Sequence, residues 1–459
     1  MSASVELGDL QGNILCGYGD DFAQGAHLFC QIRDRKAARN WLGELSARVT
    51  SAEPWGATKP PSTLNISISW AGLRELGVPH DDLKRFPKEF KDGMAARADR
   101  LKDSGPDAPE EWEQGLNDRD VHLLVSVHVR SDDPEPLRTA IAAVTPPAGV
   151  SLLQTQETRR LEGGREHYGF SDGLAQPAID DNVAGPWHGH GTPERRPGNV
   201  HGWKDLAPGE FLLGYLDEDE EIPTAPAPFD RNASYMVVRK LQQDVAAWHD
   251  QLRRWAADNP TSPDLLGAQI VGRWQNGTPL VSSPDGPDPF LDHPELAVTE
   301  QDRKRRFERL NDFRFGDDPK GLRCPAGSHI RRANPRDALG DGRLARRHRI
   351  IRRGMPYGDP PKDPLTPDER ERGLFFVCFQ ASIARQFELI QGDWLQDGDA
   401  FGLGADRDVL LSPGADGGKL MVGGRPPRFF NPHARTITLK GGGYFLTPSI
   451  SSLKAFNKG

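Results

Sequence analysis

Four cysteines in 459 residues, Cys16, Cys30, Cys324 and Cys378, stand far apart and form no CxxC pair. A zinc knuckle and a disulfide scaffold are not indicated, and the absence of CxxCH excludes a cofactor held by thioether bonds. Long apolar runs are also missing: stretches such as GLFFVCF at Gly373–Phe379 fall far short of the roughly 20 residues that a membrane helix needs. The first residues, MSASVELGDLQGNIL, show neither a basic start followed by an apolar stretch nor a twin-arginine pair, so a cytoplasmic protein is the expectation. Nor is positive charge in excess, since 58 Lys and Arg face 66 Asp and Glu for a net charge of -8. Nothing draws the whole chain to nucleic acid or to an anionic membrane.

What the chain does have is glycine (49) and proline (39), nearly a fifth of all residues, with apolar residues spread throughout. That composition describes a loop-rich globular protein, and at roughly 150 residues per domain the length implies two to four units with at least two cores. Ala26–Arg33 (AHLFCQIR) reads as a strand and Lys36–Val49 as an amphipathic helix. LNISISW alternates Leu64, Ile66, Ile68 and Trp70 with polar residues, as a half-buried strand does, and a helical stretch follows at Asp81–Leu101. VHLLVSVHVR alternates again, ahead of a helix at Glu135–Val144 and a strand at Val150–Thr155. This order is the ferredoxin-like split βαβ pattern. After the acidic, proline-rich passage Leu216–Pro228 the series restarts with a strand at Ala233–Leu241 and a helix at Gln242–Asp258. HRIIRR, GLFFVCF, a helix at Ser382–Gln391 and the terminal strand GYFLTPSI complete it, with a long insertion from about Asn259 to Arg347. The expectation is an α+β chain of two ferredoxin-like domains with antiparallel sheets, residues 1–215 and 216–459.

Two segments carry the chemistry. In RCPAGSHIRRANPRDALGDGRLARRHRIIRRGMPYG, Arg323–Gly358, His329 follows a Cys-Pro turn and precedes an arginine-rich strand. In an arbitrary protein such a run is a basic loop of solvated arginines, while nucleic-acid binding would need a basic domain or interleaved aromatics. HYGFSDGLAQPAI, His167–Ile179, sets Asp172 in a glycine-flanked turn, and by itself Asp-Gly is above all a turn signal. Among the other histidines, His122 and His128 lie on a strand face. His188 and His190 form an HxH in a Gly- and Pro-rich loop that also holds His201, with no third ligand in view, and they are expected at the surface.

Taken jointly, GFSDG, CPAGSHIRRANPR and RIIRRGMPYG resemble the dye-decolorizing peroxidase family, and LQGNIL, EFLLGY, GLFFVCFQ, FELIQGDW and GGGYFLTPSI extend the match over nearly the whole chain. The form of the motifs is similar to the larger, more elaborate members. The resemblance implies one non-covalent haem b per chain, held between two ferredoxin-like domains. The first domain would carry GFSDG and the second the axial histidine and distal arginine. It makes His329 the axial iron ligand, with an acidic partner on its other ring nitrogen to be chosen among Asp393, Asp399, Asp406 and Asp408. It makes Asp172 the distal acid–base group and Arg352 the fixed charge beside the cleaving O–O bond, with Arg353 on the other face of the strand. Leu374 and Phe376 would keep the haem pocket narrow and dry.

The implied activity is oxidation of the haem by hydrogen peroxide to a ferryl porphyrin radical, then one-electron oxidations of dyes, phenols and other aromatic donors. Bulky donors would be served through surface Tyr or Trp residues. An aspartate, ordinarily near pKa 3.9, stays a base in acid where a histidine near 6.5 is already protonated, so peroxide activation would survive there. Homo-oligomerisation is left open by the sequence. Two rival readings keep a haem: an enzyme on a related scaffold acting on chlorite or removing iron from porphyrin, which does not need Asp172, and a haem store, which gains nothing from Arg352.

Overall fold

The computed structural model describes residues 4–18, 21–56, 58–174, 176–179, 192–193, 203–293, 297, 299–411, 418–422 and 427–456. Four strands build the first half: β1 (Gln24–Ile32), β2 (Ser62–Ile68), β3 (Leu123–Val129) and β4 (Val150–Arg159). Five more follow: β5 (Ser234–Gln243), β6 (Ile351–Arg352), β7 (Met355–Tyr357), β8 (Gly373–Gln380) and β9 (Ile437–Thr447). They form one nine-stranded sheet in the order β4-β1-β3-β2-β9-β5-β8-β6, with β7 also pairing with β8. Each half repeats the order fourth, first, third, second, all antiparallel, which is the ferredoxin-like arrangement. The halves join where Ile68 of β2 pairs with Leu446 of β9.

The sheet curls until β4 lies beside β7, where Thr158 Oγ1 is 3.9 Å from Met355 Sδ and Arg159 pairs with Asp359 at 2.8 Å. Curling explains why β2 and β3 are buried on both faces and not half-buried as their alternation suggests. Leu64, Ile66, Val125 and Val127 face outward onto α1 (Arg35–Ser46), with its Leu42 and Leu45. The polar alternates point into the barrel, where Tyr18 donates to Asn65 Oδ1 at 3.1 Å and the hydroxyls of Ser67 and Thr447 lie 2.6 Å apart. Trp70 leaves the strand altogether and opens a short helix capped by Ser69. The long helix expected at Asp81–Leu101 is broken, because Pro87 cannot donate a helical hydrogen bond and Gly93 adopts φ +78°. HRIIRR contributes only Ile351 and Arg352 to the sheet.

His27 and His128 lie together inside the barrel, ring centroids 5.5 Å apart, His27 Nδ1 on Ser126 Oγ at 2.8 Å and His128 Nδ1 without a hydrogen-bond partner. Burial pushes the His128 imidazole down to about 4 from the ordinary 6.5, and burial with the neighbouring ring pushes His27 well below it. The fold keeps both neutral while the unfolded chain takes up protons near pH 6.5. The pair's contribution is therefore complete above 6.5 and lost as pH falls toward 4, by up to about 1.4 kcal/mol per ring per pH unit. Buried carboxyls such as Asp118 and Glu210, pushed up to about 6 and about 7 by burial, act with the opposite sign. The difference between two proteins isolates the histidine. His128→Gln is expected to gain stability relative to the parent chain as pH drops from 6.5 to 4, and a melting-temperature difference independent of pH would refute it.

The second half keeps α2 (Val245–Asp258) behind β5, its first turn capped by Asp244, whose side chain accepts from Ala247 N at 2.9 Å. The insertion is itself packed, with Trp274, Leu280, Val281, Phe313, Phe315 and Cys324 in one cluster. The helix expected at Ser382–Gln391 runs from Ala384 to Leu395 and is wound as a π-helix, with Glu388 N donating to Ile383 O at 2.9 Å. Wide helices of this kind are rare and often mark functional sites.

Candidate active site

A cavity opens on the outward face of the second half-sheet. Its floor is Arg239, Leu241 and Gln243 of β5, Leu374 and Phe376 of β8, and Ile437 and Leu439 of β9. The insertion supplies Arg273, His329, Ile330 and Arg336, and the π-helix adds Phe387, Ile390, Gln391 and Leu395. From the first half come Asp103, Asp107 and the loop that carries Glu166, Phe170 and Asp172. Asp172, His329, Arg352, Leu374 and Phe376, far apart in the sequence, thus line a single cavity.

His329 begins the short helix His329–Ala333. The Cys-Pro turn before it is folded by the Asp318 carboxylate, which accepts from the backbone N–H groups of Leu322, Arg323 and Cys324 and from the Arg331 guanidinium. His329 Nδ1 lies 2.7 Å from Asp408 Oδ2, which leaves Nε2 as the nitrogen available to a ligand. The structure thus selects one of the four candidate acids. Asp393 is taken by Arg100 and Asp399 is exposed, while Asp406 offers its backbone carbonyl to Arg332. Arg332 holds the arrangement, since its guanidinium donates to the carbonyls of Trp394 (3.2 Å) and Asp406 (2.7 Å) and so ties the His329 helix to the segment that carries Asp408.

Arg352 Nη1 lies 3.7 Å from Asp172 Oδ1, and its backbone N–H donates to Gln176 Oε1 at 2.9 Å. Arg353 turns the other way, as strand alternation requires, and its guanidinium donates to the carbonyls of Ile14 and Leu15. Leu374 and Phe376 share the cavity face of β8, while Phe375 and Val377 fill the barrel.

The arginine-rich run is not a solvated loop: Arg331, Arg332, Arg336 and Arg349 are only 4%, 0%, 1% and 5% exposed. Arg273, Arg336 and Arg349 line the cavity near Arg352. Burial and then mutual repulsion push Arg273 down to about 9, Arg349 to about 10 and Arg336 well below the usual guanidinium range. Cations held under that strain favour an anionic guest. Sequence reasoning missed them, although two stand inside the motifs it singled out. It also missed Gln176, Glu166 and the π-helix residues, for which an apolar pattern gives no signal distinct from ordinary core. His188, His190 and His201 lie outside the described residues.

Two family models match the chain, one described as DyP dimeric alpha+beta barrel domain over residues 9–159 and one as Dyp-type peroxidase, C-terminal, over residues 291–401. Dye-decolorizing peroxidase msp1 of Mycetinis scorodonius is 30% identical over 99% of this chain and 88% of its own. The chain belongs to the dye-decolorizing peroxidase family. As a dye-decolorizing peroxidase it is an oxidoreductase acting with hydrogen peroxide, and the enzymes of this family are haem proteins. Among solved structures, an ancestral D-type dye decolorizing peroxidase superposes with a TM-score of 0.79 at 27% identity, covering 98% of this chain and 99% of the other. A dye-decolorizing peroxidase in complex with 2,6-dimethoxyphenol gives 0.78 at 25%, with the same coverage. No helix among the described residues is long and apolar enough to cross a membrane.

Proposed function

We propose that this dye-decolorizing peroxidase binds one haem b without covalent attachment and uses His329, Asp172 and Arg352 to activate hydrogen peroxide for the oxidation of dyes, phenols and other aromatic donors. The observation that carries the reading is that His329, fixed through Nδ1 by Asp408, lines the same cavity as the Asp172–Arg352 pair. The cavity suits a flat apolar macrocycle bearing carboxylates, because Val271, Ile330, Leu374, Phe376 and Leu410 supply apolar walls and Arg273, Arg336 and Arg349 supply buried positive charge. Bound haem would supply the iron that takes one peroxide oxygen and the oxidising equivalents that donors then remove.

His329 would hold the iron through Nε2, while Asp408 accepts the Nδ1 proton, fixes the tautomer and makes the ligand more basic. Asp172 would take the proton from the inner oxygen of peroxide and deliver it to the outer oxygen, which leaves as water. Arg352 would oppose the negative charge growing on that leaving oxygen. Leu374 and Phe376 would keep water out. The phenol seen with a relative of the same fold supports phenolic donors as substrates.

Because an aspartate and not a histidine handles the proton, dye oxidation is expected to be fastest in acid, about pH 3 to 5; an optimum above neutrality would assign the proton to another group. Haem titration followed by one equivalent of peroxide tests the reading as a whole. A Soret band that grows to one haem per chain, shifts on peroxide and returns on adding a phenol supports it, whereas a band that peroxide leaves unchanged refutes it.

A further inference from the structure

Glu166 lines the same cavity, yet the steps above give it no task. Its two carboxylate oxygens accept different backbone N–H groups of the turn that follows, Oε2 from Tyr168 and Oε1 from Phe170, both at 2.9 Å. Glu166 N donates to Phe170 O and Gly169 N to Glu166 O, each at 2.9 Å, so the residue closes the turn from both its backbone and its side chain. Gln243 of β5 donates a third hydrogen bond to Oε2 at 2.7 Å and fastens the turn to the cavity floor. Among the described residues no lysine or arginine pairs with this carboxylate. Two residues beyond Phe170 stands Asp172, whose side chain is held by Gly173 N at 2.6 Å and by Arg352 at 3.7 Å.

We propose that Glu166 is a positioning residue for peroxide cleavage: by accepting the Tyr168 and Phe170 N–H groups it fixes the turn that aims Asp172 into the cavity. The inference rests on the role given to Asp172 above. Three N–H donors would ordinarily hold a carboxyl low, but burial outweighs them and, with the like charge of Asp172, pushes Glu166 up to about 7. Charged or protonated, a carboxyl keeps acceptor capacity on both oxygens for two N–H groups two residues apart, whereas glutamine has one carbonyl oxygen and would set an NH2 group against a donor. A displacement of the acid–base group on the order of 1 Å is enough to slow a reaction substantially.

The test compares the haem-loaded parent chain with Glu166→Gln, Asp172→Asn and the double variant, reading the rate of reaction with peroxide and the amide hydrogen exchange of residues 168–173. Glu166→Gln is expected to slow the peroxide step at least about tenfold, to leave haem content unchanged and to speed exchange at Tyr168 and Phe170. In the Asp172→Asn background it should change the rate by no more than about twofold, because its effect passes through the group already removed. Gln243→Leu keeps the turn's own bonds, serves as a milder variant if Glu166→Gln fails to hold haem, and should slow the parent but not Asp172→Asn. Equal slowing in both backgrounds would show a general structural effect and overturn the proposal, as would an unchanged rate in Glu166→Gln beside a slow Asp172→Asn. An Asp172→Asn protein as fast as the parent would overturn the Asp172 assignment, and this inference with it.

Discussion

Asp172→Asn is expected to bind haem normally and to react with hydrogen peroxide about 10²- to 10⁴-fold more slowly than the parent chain, the range for a missing general base. Asparagine fills the same space and keeps an acceptor for Gly173 N, so the turn survives while the proton loses its carrier. Arg352→Leu removes the charge 3.7 Å from Asp172 and should cost about 10²- to 10³-fold at the same step. Arg353→Leu is the control, because Arg353 serves the carbonyls of Ile14 and Leu15 and faces away from the cavity. Stopped-flow traces at the Soret band decide the matter. Unchanged rates in both cavity variants, or a larger loss in the Arg353 variant, would remove these residues from the peroxide step.

His329→Ala is expected to lose haem or to hold it weakly, since its Nδ1 is already bonded to Asp408 and its Nε2 is left to a ligand in the cavity. Asp408→Asn should retain the ligand but weaken it, by about 10- to 100-fold in affinity or activity, because asparagine no longer accepts the Nδ1 proton as a charged group. His188→Ala and His190→Ala should leave the haem spectrum unchanged. Full haem occupancy in the His329 variant would place the axial ligand elsewhere.

The strands of both halves were legible because their inward and outward residues alternate, and the ferredoxin-like order followed from counting them. Their burial was not legible, because serine, asparagine and histidine at alternate positions read as solvent-facing when they face a closed barrel interior shared with Phe375 and Val377. Asp172, His329 and Arg352 could be picked out because each stands in a dense motif. The choice of Asp408 could not, since four acids lie within reach in sequence and only the contact at 2.7 Å distinguishes one. The buried arginines show the same limit from the other side: a run of like charges reads as a wet surface until something in the fold surrounds it. The break at Pro87 and Gly93 was visible in principle, and the helical periodicity around it concealed it.

The strand β9 has a consequence for how the protein is made. It occupies the middle of the sheet, between β2 and β5, and its Ile437 and Leu439 floor the cavity, yet it is translated after Asp172, His329, Arg352, Leu374, Phe376 and Asp408. During synthesis the first four strands can pair among themselves as they emerge, in the N-terminal-first manner of nascent chains. The second half has its other chemical groups before the β9 part of its floor exists, and the β2–β9 pairing of the two half-sheets waits for residue 446 to reach Ile68. Ile437 and Leu439 are therefore the last lining residues of the cavity to be synthesised, after every chemical group that it holds.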